Sequence, residues 1–245
     1  MARYKIANEI LNQVALEVGL LPLNNPVDSN DEVYVQLLGL LNSAGQELVE
    51  LNTWQMVTKP FEIVVGEEDD GVYALPDDFN YMIDQTGWDR NNATPLGGPL
   101  SAQDWTYIEG RDLVSQTIYV SFRQWEGKLY LFPQPPAPGT RLTFEYASRD
   151  WVQNASNPEV TGDSVTTGSD IVLLHPLMVA KFLKMKFLQA KGFDSSAAAL
   201  EFDTVFQSQI GKDKGAPILN AAGNGRSINY LNAYCNVGDT GFGRA

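Results

Sequence analysis

Apolar positions recur at helical spacing near both ends of the chain and alternate in between, and this change of period gives the first picture of the fold. Ile6, Ile10, Val14 and Val18 recur every four residues with Leu11 beside them, and Gly19 is a natural stop. After Pro22 and Pro26, Ser29 and Glu32 have the S-x-x-E spacing of a capping box, with Asp31 in the first turn. The helix this predicts sets Val33, Leu37, Leu40, Leu41, Ala44, Leu48 and Leu51 on one wide face and ends near Trp54. Such a stripe is core packing first; its width also leaves room for a subunit interface.

From Pro60 to about Tyr146 the period is two. "FEIVV" (Phe61 to Val65) reads as a strand followed by the acidic turn "GEEDDG", whose spacing does not fit a calcium loop and suits a solvated turn. "VYALPDDFN" reads as a short strand to Pro76, after which Asp77 and Asp78 cap a turn of helix. "IYVSF" (Ile118 to Phe122), "KLYLF" (Lys128 to Phe132) and "RLTFEYA" (Arg141 to Ala147) complete the β region. In the last, Leu142, Phe144 and Tyr146 share a face opposite Arg141, Thr143 and Glu145, the pattern of a sheet with one wet side. Between the second and third runs stand Pro133, Pro135, Pro136 and Pro138, which cannot continue a central ladder, and Gly139, which permits a reversal. The expectation is a hairpin held stiffly by its linker.

"NASNPEVTGDSVTTGSD" (Asn154 to Asp170) reads as a polar loop back to helix. Pro176 suits a first helical turn, with Leu177, Ala180, Phe182, Leu183, Phe187 and Leu188 apolar and Gly192 the stop. Asp194 can cap a last helix that turns Ala198, Phe202, Val205, Phe206 and Ile210 inward. The pattern therefore predicts an α+β fold: a four-helix bundle formed by N- and C-terminal helix pairs, with an inserted antiparallel β region and an extended C-terminal arm. The expected units are 1–58 (first helix pair), 59–153 (β region with the proline-rich hairpin), 154–211 (second helix pair) and 212–245 (arm).

Composition narrows the function. The chain has 245 residues, 44% hydrophobic and 19% charged, ordinary values for a folded protein. Its start, "MARYKIANEILNQ", lacks the apolar run of a signal peptide, so export by that route is not expected. Cys235 is the only cysteine, which rules out an intrachain disulfide and a cysteine metal cluster, and one histidine, His175, cannot form a two-histidine zinc site. His175 precedes Pro176 at a helix start and reads as a capping or packing residue. There is no P-loop, G-x-G-x-x-G or G-x-S-x-G, and no catalytic residue, cofactor or metal is expected. A net charge of −13 argues against gripping a nucleic-acid backbone. The charge is uneven: from Gly211 onward Lys212, Lys214, Arg226 and Arg244 face only Asp213 and Asp239, so a tail of +2 follows a body of −15. That tail holds seven of the 21 glycines and no period, yet carries Ile228, Tyr230, Leu231, Tyr234 and Phe242, a pattern of a segment that orders on a partner. A different class is a carbohydrate-binding β module of a phage tail or cell-surface protein, which Trp88, Trp105, Trp125 and Trp151 around the sheet would serve by stacking on sugars.

Three segments carry a family resemblance. "LPDDFNYMID" (Leu75 to Asp84), "GKLYLFPQPPAPGTRLTFEYASRDWV" (Gly127 to Val152) and "SDIVLLHPLMVAKFLKMKFLQAKGFDSSAAALEFDTVF" (Ser169 to Phe206) resemble head-to-tail adaptor proteins of short-tailed bacteriophages, also called tail accessory factors or tail tubular protein A. Such proteins carry an "LP-x-DF" turn, an "L-x-L-x-P-x-P" run leading to an aromatic tyrosine, and "AKG" near a helix end before another helix; all stand here in order, from about Ala2 to Lys212. The resemblance implies a virion structural protein and not an enzyme. Its partners would be the portal protein, the tail nozzle or tail tubular protein, and further copies of itself in a ring, commonly of twelve. DNA would pass through the lumen without specific binding, with no membrane involved. The protein would reside in the neck of the virion after assembly in the host cytoplasm. In that family a C-terminal arm reaches onto the portal; the tail here departs from the family's pattern after Gly211, and residue type alone picks out Ile218, Leu219, Arg226, Ile228, Tyr230, Leu231, Tyr234 and Phe242 as the expected portal contacts. Within the resemblance, Phe132, Pro133, Pro135, Pro136 and Pro138 become a rigid projection towards the next ring, a neighbouring subunit or the nozzle.

Overall fold

A computed structural model describes residues 4–110, 120–134 and 136–213. Strand β1 (Lys5–Ile6) leads into α1 (Ala7–Glu17), and α2 (Glu32–Leu51) follows. The chain then runs through β2 (Thr58–Val64), β3 (Val72–Ala74), β4 (Phe79–Met82), β5 (Trp88–Asp89), β6 (Thr94–Pro95) and helix α3 (Ala102–Gly110). Next come β7 (Ser121–Trp125), β8 (Lys128–Phe132) and β9 (Arg141–Ser148), and the short strands β10 (Val152–Gln153), β11 (Thr161–Gly162) and β12 (Ile171–Val172). Helices α4 (Pro176–Ala190) and α5 (Ser196–Asp213) close the described chain.

This is not the expected four-helix bundle with an inserted β region: the described residues form three antiparallel sheets and five helices. A helical stripe reports that a face is buried, not what buries it. Here part of the covering comes from a four-stranded sheet in the order β1-β12-β10-β11. It joins the residues before α1 to the residues before α4, through Lys5 opposite Val172 and Ile6 opposite Ile171. Trp151, Val152 and Val172 from this sheet enter the same core as Ile10, Leu37, Leu41, Leu48, Met178 and Leu183. Trp151 has no exposed surface, and its indole nitrogen donates to the Asp163 carbonyl at 2.7 Å. It lies flat on α2 because position 45 is glycine; a Cβ there would come within 2.1 Å of the indole ring.

Helix ends follow local chemistry. Gly19 and Gly192 both take positive φ, 82° and 74°, after α1 and α4. Leu20 and Phe193 donate back to Ala15 and Leu188 at 2.8 and 2.9 Å, so both helices close in Schellman motifs. The capping-box reading of Ser29 shifts by two residues: Asp31 caps α2 by accepting from Val33 N at 2.9 Å, while Ser29 Oγ accepts from Asp31 N. Asp194 accepts from Ser196 N at 2.9 Å at the start of α5. Along α5 only one side meets the body: Phe202 stacks on Phe182 with centroids 4.4 Å apart, and Phe206 meets Trp54 edge-on at 5.9 Å.

A second core lies between the other two sheets. β9 is the spine of one, paired along its length with β2 on one side and successively with β5 and β4 on the other. β3, β8 and β7 form the other, with β8 central. Leu142, Phe144 and Tyr146 of β9 point inward to Ile63, Phe122, Leu129 and Leu131. The alternation read from the sequence holds on β9, but the predicted hairpin does not form: β8 and β9 belong to different sheets. Alternation fixes which face a residue occupies, not which strand it pairs with. The hairpin that does form is β7–β8, turned by Glu126 and Gly127 with φ of 51° and 70°. Asp77 and Asp78 open no helix; they are the middle of a single turn, closed by Phe79 N donating to Pro76 O at 2.9 Å, from which the chain enters β4.

Candidate functional site

The proline-rich segment crosses from one sheet to the other and is fastened at both ends. Phe132 is buried against Trp105 of α3, their centroids 6.2 Å apart. Pro133 follows a cis bond, Pro136 is buried, Pro138 is exposed, and Pro135 lies outside the described residues. Gly139 N donates to Val65 O at 2.8 Å, Val65 N to Thr140 O at 2.9 Å, and the Asn91 side chain to Gly139 O at 2.8 Å. The segment is thus a strap over the end of β2, with Gln134, Ala137 and Pro138 exposed.

Beside the strap, the outer face of the β3-β8-β7 sheet gathers aromatic and cationic side chains. Arg123 stands opposite Tyr130 and Trp125 opposite Lys128 in the β7–β8 register. The Arg123 guanidinium lies 5.1 Å from the Trp125 ring centroid, and the Tyr130 ring lies 5.4 Å from it. Trp125 is 48% exposed. Trp105 packs edge-on against Tyr130 and gives its indole N–H to Glu109 at 2.7 Å. Of the four tryptophans that the carbohydrate reading relied on, Trp151 and Trp105 are buried and Trp88 is half-buried in β5. Trp125, the exposed one, already has a guanidinium over its ring, so the four do not form a stacking platform.

The two cores are joined by a polar knot centred on Asp78, a residue the sequence pattern assigned to a helix cap. Lys59 Nζ donates to Asp78 Oδ2 at 2.6 Å, Ser148 Oγ to the same oxygen at 2.7 Å, and Tyr146 OH to Oδ1 at 2.9 Å. Lys59 also reaches Thr161 of β11 at 3.2 Å, whose hydroxyl donates to Asp150 at 2.6 Å. Burial alone would raise the Asp78 carboxyl; the hydrogen bonds from Lys59, Ser148 and Tyr146 outweigh it and hold the group below the ordinary aspartate value. Burial, then the bond to Asp78, pushes the Tyr146 phenol well up. On the helical side, Lys181 and Lys184 of α4 share Glu17 of α1 and Glu201 of α5 at 3.0–3.6 Å, tying three helices.

The acidic turn is a solvated loop in part. Asp69 accepts from Gly66 N at 2.7 Å and Tyr73 OH at 3.0 Å, and Asp70 from Val72 N at 2.9 Å. Glu67 and Glu68 stand exposed at its tip. Among the described residues no group of three or more histidine, cysteine, aspartate or glutamate side chains is placed to hold a metal ion, and no helix is long and apolar enough to cross a membrane.

At the far end of α5, Asp213 accepts from Gln55 N at 3.0 Å. There the chain borders a cleft of about 220 Å³ lined by Trp54, Met56, Leu174, His175 and Lys212 among others. His175 takes the N-cap position of α4 without a side-chain capping bond. The expected arm contacts, Ile218, Leu219, Arg226, Ile228, Tyr230, Leu231, Tyr234 and Phe242, lie outside the described residues, as does Cys235.

The profile of the SU10 adaptor protein family matches residues 7–226. No match is found among curated proteins. The chain belongs to the SU10 adaptor protein family, a family of phage head-to-tail adaptors.

Proposed function

We propose that this phage adaptor closes into a ring beneath the portal, extends the channel through which DNA leaves the capsid, and presents the surface to which the tail attaches. The match across residues 7–226 carries the reading, because it spans both cores and the stretch beyond α5. As a virion protein of the neck it acts by binding and not by catalysis. Twelve copies would follow a portal of twelve, each meeting the next through a different surface on either side, since a ring needs heterologous contacts.

Two features of the chain support the finer reading. A body of −15 suits a DNA channel: contacts that release no counterions give the duplex nothing to adhere to. The basic, aromatic-bearing segment after Asp213 suits an arm that orders on the portal, and α5 ends at the edge of a cleft. The test is truncation. Asp213 is held by Gln55, so the cut belongs after it. A chain ending at Asp213 is expected to keep its melting temperature and lose binding to portal rings in a pull-down; full binding by the truncated chain contradicts the arm.

A further inference from the structure

The sheet β3-β8-β7 carries opposite charges at its two ends. At one end the β7–β8 tip presents Lys128 opposite the exposed Trp125, and Arg123, at the middle of β7 opposite Tyr130, lays its guanidinium on the Trp125 ring. In a chain of net charge −13, neither cation takes part in an ion pair among the described residues. Glu126 at the turn is the acid of the tip, and Glu109 on α3 is occupied by Trp105. At the other end, Gly71 O accepts from Leu131 N at 2.9 Å, so the acidic turn enters the sheet beside Leu131. There Asp69 and Asp70 spend their carboxylates on the loop itself, while Glu67 and Glu68 are exposed and in no ion pair or hydrogen bond among the described residues.

These poles are separated along the strand. Ala74 pairs with Lys128 at one end of the β3–β8 ladder and Val72 with Tyr130 towards the other. From Lys128 to Leu131 the sheet runs about 10 Å at ~3.3 Å per residue, and the glutamates lie beyond that. Within one chain Lys128 and the glutamates sit at opposite ends of the sheet, and Arg123 stands two strands across from the strand that the acidic turn enters, about 10 Å at ~4.8 Å per strand. Between two chains in head-to-tail order they match.

We propose that the Arg123–Trp125–Lys128–Tyr130 face of one copy receives the Glu67–Glu68 turn of the next. The contact supplies countercharge to two cations that take part in no ion pair among the described residues, and closes over an indole whose stacked guanidinium makes it a desolvatable anchor. Its two surfaces are different, so repetition gives a ring or a filament and not a closed dimer. The contact rests on the adaptor reading for closure into a ring but not for its existence.

The test uses the full chain in unlabelled and nitrogen-15-labelled forms, mixed and treated with a carbodiimide that joins amines to carboxylates without a spacer. The expected product is a mixed-label peptide linking Lys128 to Glu67 or Glu68. Charge reversal by R123E/K128E, or by E67K/E68K, should each cut association in sedimentation velocity by at least about tenfold. An equimolar mixture of the two variants should restore it, with the link re-formed in reversed polarity between position 128 and position 67 or 68. Absence of the mixed-label peptide, undiminished association of either variant, or failure of the mixture to recover overturns the contact. Wild-type binding to portal rings is measured alongside. Portal binding without the link leaves the adaptor reading standing and removes this contact, whereas the link without portal binding does the reverse.

Discussion

Asp78 holds the junction of the two cores through three side-chain donors, from Lys59, Ser148 and Tyr146. Asp78→Asn is therefore expected to cost about 2 kcal/mol near neutral pH, the scale of hydrogen bonds to a charged group. The folded-state carboxyl is held below its ordinary value, so the unfolded chain binds this proton more readily. The stability it contributes is complete above the unfolded value, near about 4, and is lost as pH falls through the folded value. Urea unfolding of wild type and D78N should differ most above about pH 5, and the gap should narrow progressively as pH falls below about 4; a gap that stays constant as the solution is acidified contradicts the role given to Asp78. Gly45 is a second test, because a Cβ would meet the immobile Trp151 at 2.1 Å. Gly45→Ala should destabilise by roughly 1–3 kcal/mol and Trp151→Ala by about 3–5. In thermal unfolding the double variant should lose less than the two changes together, since the indole is what the added methyl strikes. Neither role was visible in the sequence. Asp78 sits in an "LPDDF" run that reads as a cap, and nothing local marks Gly45 as the floor for a tryptophan more than a hundred positions away.

Elements with a long period or a stop signal were legible, and elements defined by partnership were not. The apolar spacing of α1, α2 and α4, the stops at Gly19 and Gly192, the cap at Asp194 and the inward face of β9 all depend on neighbours within a few residues. Strands β1, β10, β11 and β12 are two residues each, too short to show alternation, and exist because they meet across the chain. Missing them turned a shared helix-and-sheet core into a bundle. The proline linker misled for a related reason: two good strands flanking prolines look like a hairpin, while the true reversal is the Glu126–Gly127 turn. A glutamate at φ of 51° is strained there, since such two-residue turns favour asparagine or glycine. Glu126→Asn should stabilise by roughly 0.5–1 kcal/mol, read as a higher midpoint in urea with unchanged slope; a lower midpoint would show that the turn needs glutamate for another reason.

For the whole molecule, the family was legible where the fold was not. The ordered motifs from Leu75 to Phe206 resemble adaptors whether the helices form a bundle or share their core with a sheet, and the family match covers that span. The proposed portal arm rests on the family resemblance together with the composition of the tail, and the proposed acidic lumen on net charge, which reports a preference for partners but no geometry. A ring solved with lysines and arginines lining its lumen would remove the channel argument. The most direct measurement is mass photometry of the full chain with portal rings of the same phage. The account predicts that the portal peak moves up by the mass of a complete ring of this 27.0 kDa chain, with few partial species. A portal peak that does not move at any salt concentration contradicts it.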